Sequence, residues 1–323
     1  MATTVHQQIT SSNSNVYHES YLHFKGVGKT LPAHESTWKT LDDVPLTREA
    51  FLDVLEGRTP VICERGFINK ELAHKYEEEL SPKLSPYLHV AGPDLFKVGI
   101  AQFEFQAQSA EDFQKRSDEK ERYFNEVRKL ETLHSDLAAK TGTNVWALIM
   151  AKIASLVPEY EVIVANEGPS KKYFSGIFRA INESTPIHCD WSPYDSLTED
   201  WLINKITRQA VFNLYLSPVK GGRTVVHDVQ WTEESLDFRD PSSYGYSPEI
   251  VQGRNNCTIH PSPGDLCFFN SRNMHQVFPV EVEPHPELGG AVEWRRPRLT
   301  LSSFMGLLPP ETSGAKPRLI FWS

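Results

Sequence analysis

Apolar positions recur along this chain with two different periods, and the change falls near Tyr160. Before it the spacing is helical. Over residues 46–56, Ala50, Phe51, Val54 and Leu55 share one face, Thr47 stands where an N-cap belongs, and Gly57 marks the stop. Residues 69–80 read as a second helix capped by Asn69, with a short strand at 59–63 between the two. Residues 81–93 are punctuated by proline. In 96–108, Gln102, Glu104 and Gln106 alternate with Phe103 and Phe105, which predicts a strand. The stretch 111–156 reads as a long helical part, charged early and apolar late (Val145, Leu148, Ile149, Ile153), broken near Thr141-Gly142-Thr143. The charges of 115–129 form a solvated face.

After Tyr160 the chain breaks into short β-rich runs divided by Gly, Pro and Asn. Strands are predicted at 162–164, 173–181, 209–216, 223–228, 257–259, 265–270, 275–282 and 298–307. About eight short strands with turns between them suggest a double-sheet jelly roll. The expected fold class is α+β, in three parts: a poorly structured segment at 1–40, an N-terminal helical layer at 41–158, and a β-core at 159–323 that forms one functional unit with that layer.

Composition narrows the function. The 323 residues carry 33 Lys and Arg against 42 Asp and Glu, a net charge of −9, with no basic block or basic-aromatic stripe. Neither nucleic acid nor an anionic membrane is expected as a partner. Cys63, Cys189, Cys257 and Cys267 are far apart and form no C-x-x-C, so neither a disulfide framework nor a zinc ribbon is expected, and the set fits a reducing compartment. Residues 1–15 are polar, without the basic-then-apolar order of a signal peptide, and no later run is long enough to span a bilayer. The expectation is a soluble cytoplasmic protein.

The candidate chemistry centres on Ile187-His188-Cys189-Asp190-Trp191. On an extended segment, residues two apart point to one side, so His188 and Asp190 converge while Cys189 points away as filler. His134-Ser135-Asp136 has the same spacing but lies in a predicted helix, where two residues mean roughly 200° of rotation and the side chains diverge. A third group is offered by His275. Two imidazoles and one carboxylate on one face of a cation, with other positions open, suit non-haem Fe(II). His227 and His260 are spare histidines of the β-region, either of which replaces His275 if its strand faces the metal.

Three further features follow in order. Asn213-Leu214-Tyr215-Leu216-Ser217-Pro218 leads into Gly221-Gly222-Arg223-Thr224. Pro263 to Asn270 gives a turn and an apolar strand that delivers His275. On the last run, Arg298, Thr300 and Ser302 share a face. This ordered set resembles the Fe(II)/2-oxoglutarate-dependent dioxygenases, whose fold is a double-stranded β-helix, a cupin-like jelly roll, and the resemblance covers about 173–305. It implies that His188, Asp190 and His275 ligate iron. It also implies that Arg298, assisted by Thr300, binds the distal carboxylate of 2-oxoglutarate, which a guanidinium grips bidentately where a lysine offers a point charge. The implied reaction spends 2-oxoglutarate and O₂, releasing succinate and CO₂ while a substrate C–H bond is oxidised. Halogenating members lack the carboxylate that Asp190 supplies, so that outcome is disfavoured.

Several positions stay open. Arg296 shares a face with Arg298 and is the alternative anion ligand, and the 23 residues from His275 to Arg298 hold an extra loop near 284–290. Asn213 and Tyr215 share a strand face and either bond 2-oxoglutarate or satisfy the core. Arg179 meets a substrate carboxylate or a plain ion-pair partner. Trp191 and Tyr194, in an aromatic insertion of the kind that selects substrate at a barrel mouth, either line the pocket or pack beneath it. The expected substrate is a small molecule, since the elaborate N-terminal layer and aromatic insertions look similar to stand-alone biosynthetic members, including fungal ones, that act on amino acids or specialised metabolites. The rivals are a protein-modifying hydroxylase or demethylase, and a non-enzymatic cupin-like metal-binding module.

Overall fold

The computed structural model describes residues 35–87, 95–107, 109–241, 243–285, 289–310 and 314–323, without the side chains of 284, 285 and 289–294. Residues 1–34, most of the segment expected to be poorly structured, lie outside them. Helix α1 (Arg48–Leu55) starts where Thr47 accepts a hydrogen bond from Ala50 N, and α2 (Lys70–Leu80) where Asn69 accepts from Leu72 N. Each cap satisfies a backbone donor that the first helical turn leaves orphaned. Between them runs β1 (Ile62–Glu64), and β2 (Ser85–Pro86) and β3 (Leu95–Val98) follow.

The strand expected over 96–108 stops after β3. Gly99 takes a φ of +117° against the Phe174 ring, and the chain turns into a 3₁₀ helix at Gln102–Phe105. Glu104 holds that turn through Ala101 N and an ion pair with Lys97, so alternation there reflects a one-sided loop rather than a pleat. The predicted helical run divides into α3 (Ala110–Lys115), α4 (Glu119–Arg128), α5 (Leu133–Thr141) and α6 (Val145–Leu156). The expected break falls at Gly142, which caps α5 at φ +87°.

The remaining elements are β4 (Glu161–Val164), β5 (Ile177–Ile181), the single-turn α7 (Ser192–Asp195), β6 (Arg208–Tyr215), β7 (Thr224–Gln230), β8 (Asn256–Ile259), β9 (Leu266–Phe269), β10 (Asn273–Val277), β11 (Glu283–His285), β12 (Gly289–Trp294), β13 (Leu299–Leu308) and β14 (Arg318–Trp322). The large sheet runs β1-β9-β6-β13-β5-β3-β2. β14 pairs with the second half of β13 and carries β4 beside it in parallel. A smaller sheet, β10-β7-β8, faces it, giving the two-sheet jelly roll expected of the β-region. The hairpin β11–β12 fills the long interval before Arg298. β14 was not foreseen: Arg-Leu-Ile-Phe-Trp is too short a continuous apolar run to declare its conformation.

Alternation on the large sheet separates two environments. Outward-facing Phe178, Phe212, Leu214, Phe268, Leu299 and Leu301 pack under the helical layer with Phe51, Val54, Tyr76, Ile149 and Ile153. Each such buried side chain contributes about 1.5–3 kcal/mol. Inward-facing Val211, Tyr215, Cys267 and Phe269 meet Val226, Cys257 and Ile259 of the smaller sheet. The polar residues of the candidate site lie on this inner face. The expectation that the cysteines stay apart needs correction: Cys63 and Cys267, 204 positions apart, are directly opposed across β1 and β9 with Cα atoms 4.3 Å apart and are joined as a cross-strand disulfide. Strand pairing brings them together, which sequence spacing does not reveal. Cys189 and Cys257 are free.

Candidate active site

His188 and His275 face each other in a two-way backbone bridge, His188 N donating to His275 O at 2.9 Å and His275 N to His188 O at 2.7 Å. Two residues on, Asp190 N donates to Ser271 O at 2.8 Å. The segment 188–190 thus extends the smaller sheet beyond β10 and aims His188, Asp190 and His275 at one point, with ligand atoms all within 4.8 Å of one another. The imidazole centroids lie 4.2 Å apart, and His275 Nε2 is 3.4 Å from Asp190 Oδ2.

Both rings are fixed in one tautomer. Nδ1 of His188 lies 2.8 Å from Pro186 O, and Nδ1 of His275 lies 2.8 Å from Asn273 O. A carbonyl only accepts, so each Nδ1 carries the proton and each Nε2 keeps its lone pair for a metal. Burial, reinforced by His275, lowers the His188 imidazole to about 4, so it is neutral and ready to ligate at physiological pH. Burial alone would raise the Asp190 carboxyl; the adjoining His275 and His188 side chains and the Arg179 guanidinium outweigh it and hold the group below its ordinary value. Behind the triad, Gln209 is buried and ties its neighbours into one network: its Nε2 donates to Asp190 O and Ser271 Oγ, each at 3.0 Å, and its Oε1 accepts from Ser192 N. Asn270 anchors the same turn to the carbonyls of Val54 and Leu55 at the end of α1.

Arg298, just before β13, is 4% exposed. One terminal nitrogen donates to Gly222 O at 2.7 Å and reaches Thr224 Oγ1 at 3.4 Å, while Nε is buried without a partner. No described carboxylate pairs with it, and burial pulls its pKa below the ordinary value. The Tyr215 hydroxyl is also buried, approaching Thr224 without hydrogen-bond geometry. A desolvated guanidinium without a counter-ion, beside an unsatisfied hydroxyl, fits an anion. In the β7–β10 register Thr224 pairs with Val277 and Val226 with His275, so the Arg298 end lies two residues, about 7 Å, along the strand from the triad. A short dicarboxylate spans that interval. Gly222 (φ +64°) makes the approach possible, because a Cβ there would lie 2.8 Å from Arg298 Cδ.

Other candidates sort by contact. Arg296 is engaged outside the barrel in a bidentate pair with Glu77 of α2, at 2.7 and 2.8 Å, which separates it from Arg298. Thr300 Oγ1 and Ser302 Oγ are 3.0 Å apart, and Ser302 donates to Asn213 Oδ1 at 2.6 Å. Arg179 faces the same interior, pairing with Thr300 across β5 and β13. Trp191 lies under the Arg272 guanidinium, and the Tyr194 ring meets that of Trp231 at 4.4 Å, tilted by 37°. His227 lies on the face of β7 opposite Val226, beside Gln276, and His260 is exposed. His134 is held by Ser175 O among Trp146, Phe174 and Phe178, far from any carboxylate ligand set. Sequence reasoning missed Tyr244, whose ring meets His188 edge-on at 5.3 Å, and Gln209; neither lies in a motif of fixed spacing.

The fold has known counterparts. Two crystal structures of an N-substituted L-amino acid dioxygenase from Burkholderia ambifaria AMMD, one in complex with alpha-KG, superpose with TM-scores of 0.50 and 0.51 at 13% and 12% identity, each covering 85% of this chain and 91% of the other. His188, Asp190 and His275 form a set that could hold a metal ion, and the likeness to these structures shows the fold in which they stand. The chain belongs to the family of the leucinostatins biosynthesis cluster protein S of Purpureocillium lilacinum, to which it is 35% identical over 234 residues, 72% of this chain and 86% of that protein. No family model matches it. Among the described residues, no helix is long and apolar enough to cross a membrane.

Proposed function

We propose that this protein oxidises an unactivated C–H bond of a small molecule of specialised metabolism, an amino acid or a compound built from one, at the expense of 2-oxoglutarate and O₂. The observation that carries the reading is the pairing of the His188–Asp190–His275 triad with Arg298, a buried cation lacking any described counter-ion. The membership of a relative in a biosynthesis cluster supports the choice of substrate class.

When bound, iron and 2-oxoglutarate supply the oxidising chemistry. The protein's part is positional. His188 and His275 present Nε2 lone pairs, Asp190 offsets part of the metal charge, and Gln209 keeps the Asp190 backbone in place. Arg298 takes the distal carboxylate against Tyr215 and Thr224, and Gly222 leaves room for it. Asn213, whose carbonyl oxygen is occupied by Ser302, has its amide nitrogen left to donate into the interior. Phe269, edge-on to His275 at 4.9 Å, keeps water from the back of that ring.

A cupin-like module without turnover gives no reason to bury Arg298 unpaired. The test is Fe(II)-dependent conversion of 2-oxoglutarate to succinate and CO₂, with hydrophobic amino acids and their N-acyl derivatives screened by mass spectrometry for gain of one oxygen atom. Decarboxylation that is independent of iron, or absent with iron bound, refutes the reading.

A further inference from the structure

Arg179 is the second cation of the barrel interior, and its surroundings differ from those of Arg298. It projects from β5 beside β13 and pairs in register with Lys97 on its other side. Lys97 is neutralised by Glu104. Arg179 has no carboxylate within ion-pair distance among the described residues: its Nε is buried without a partner, and one terminal nitrogen reaches only the Tyr87 hydroxyl, at 3.4 Å. Its guanidinium is flanked by two rings, Tyr87 at 5.8 Å and Phe304 at 5.7 Å, which leave its edge free to donate. Its register partner Thr300 shares the inner face of β13 with Ser302, which bonds Asn213, so Arg179 points into the same interior.

Charge balance indicates what it takes. The charges of a divalent metal, Asp190, Arg298 and a doubly negative 2-oxoglutarate cancel. Arg179 then remains as an uncompensated, half-buried cation of the interior whose Nε is cut off from water, a costly state unless an anion arrives. We infer that Arg179 anchors a carboxylate of the substrate, so that the substrate is an organic acid carrying an apolar body rather than its ester or amide. The apolar part has a surface to meet: Phe103, 38% exposed, stacks on Tyr87 at 5.4 Å, and the Tyr244 ring meets His188 edge-on at 5.3 Å. This rests on the oxygenase reading above and narrows it to acids.

The test uses the Fe(II)·2-oxoglutarate protein without oxygen. L-Leucine, L-phenylalanine and their N-acetyl derivatives are titrated beside the carboxamide of each, and perturbation of the visible charge-transfer band is read. At least one acid should shift the band and its carboxamide should not. Arg179→Gln should weaken that acid at least tenfold, with 2-oxoglutarate affinity within about twofold, and Arg179→Lys should recover part of the loss. Thermal unfolding of each variant confirms that it is folded. Carboxamides binding as well as acids, or no acid binding, overturns the inference. So does a loss of 2-oxoglutarate affinity in Arg179→Gln, which would assign Arg179 to the co-substrate. A wild-type protein with iron but no band sinks the oxygenase reading itself, whereas a band indifferent to every acid sinks only this one.

Discussion

Replacing Arg298 with Met separates a residue that serves the fold from one that serves a ligand. A guanidinium that grips a carboxylate in a dry pocket makes two charge-assisted hydrogen bonds, each contributing about 1.5–3 kcal/mol. Losing both costs about 3–6 kcal/mol of binding, and at about 1.4 kcal/mol per tenfold the dissociation constant for 2-oxoglutarate rises roughly 10²- to 10⁴-fold. The unliganded protein tells a different story. The substitution removes a buried cation with no described counter-ion, a gain, and forfeits the 2.7 Å bond to Gly222 O, a loss of similar size. Stability should move by no more than about 1 kcal/mol, a few degrees in Tm.

Arg296→Met is the matched control. It breaks the bidentate pair to Glu77, whose side chain is 9% exposed, so stability should fall by about 1–3 kcal/mol with 2-oxoglutarate affinity unchanged. Anaerobic calorimetric titration of 2-oxoglutarate, with thermal unfolding of the metal-free proteins, gives both numbers. If Arg298→Met binds within threefold of wild type, or Arg296→Met is the variant that loses binding, the assignment is wrong.

Three further outcomes follow from the same geometry. Gly222→Ala forces a Cβ to 2.8 Å from Arg298 Cδ at a φ of +64°, so it should lose about 1–2 kcal/mol of stability and weaken 2-oxoglutarate about tenfold; unchanged affinity by the same titration removes Gly222 from the account. Gln209→Leu unties Asp190 O from Ser271 and should lower metal affinity about 10- to 100-fold in competition with a chelator, while equal affinity would make the network merely structural. The pH dependence of the metal-free protein has a defined sign. Burial, then the charge of His275, lowers His227 to about 4 against 6.5 for an ordinary histidine, so its contribution is whole above about 6.5 and is lost as the pH falls toward 4. Tm should therefore decline through that window, and His227→Gln should make the decline shallower; parallel curves would contradict this.

What was legible in the sequence was whatever strand period encodes. His188 and Asp190 stand two apart on extended chain, and Arg298, Thr300 and Ser302 are on one face, so their convergence needed only the pleat. The choice between Arg298 and Arg296 was not legible, because parity gives both one face. It is decided at the start of β13: Arg298 stands immediately before Leu299 with its carbonyl accepting from Ile181 N of β5, while Arg296, two residues earlier, swings to α2. Arg179 read more naturally as an ion-pair member, and the absence of a described acid beside it depends on neighbours from β3 and the Tyr87 segment that no local pattern joins to β5. Trp191 and Tyr194 carry the composition of a substrate loop, and their contacts with Arg272 and Trp231 come from segments that no local pattern joins to them. The Cys63–Cys267 pair and β14 were hidden for the same reason, since each is specified by strand order rather than by its own residues.

On the proposed function, His188, Asp190 and His275 hold an iron that 2-oxoglutarate chelates. The most direct test is to load the protein with Fe(II) under argon, add 2-oxoglutarate, and look for a weak visible metal-to-ligand charge-transfer band. The account predicts the band in the wild type and its loss in His275→Ala. A wild-type protein with iron demonstrably bound and no band would contradict it, and would leave a metal-binding jelly roll without this co-substrate.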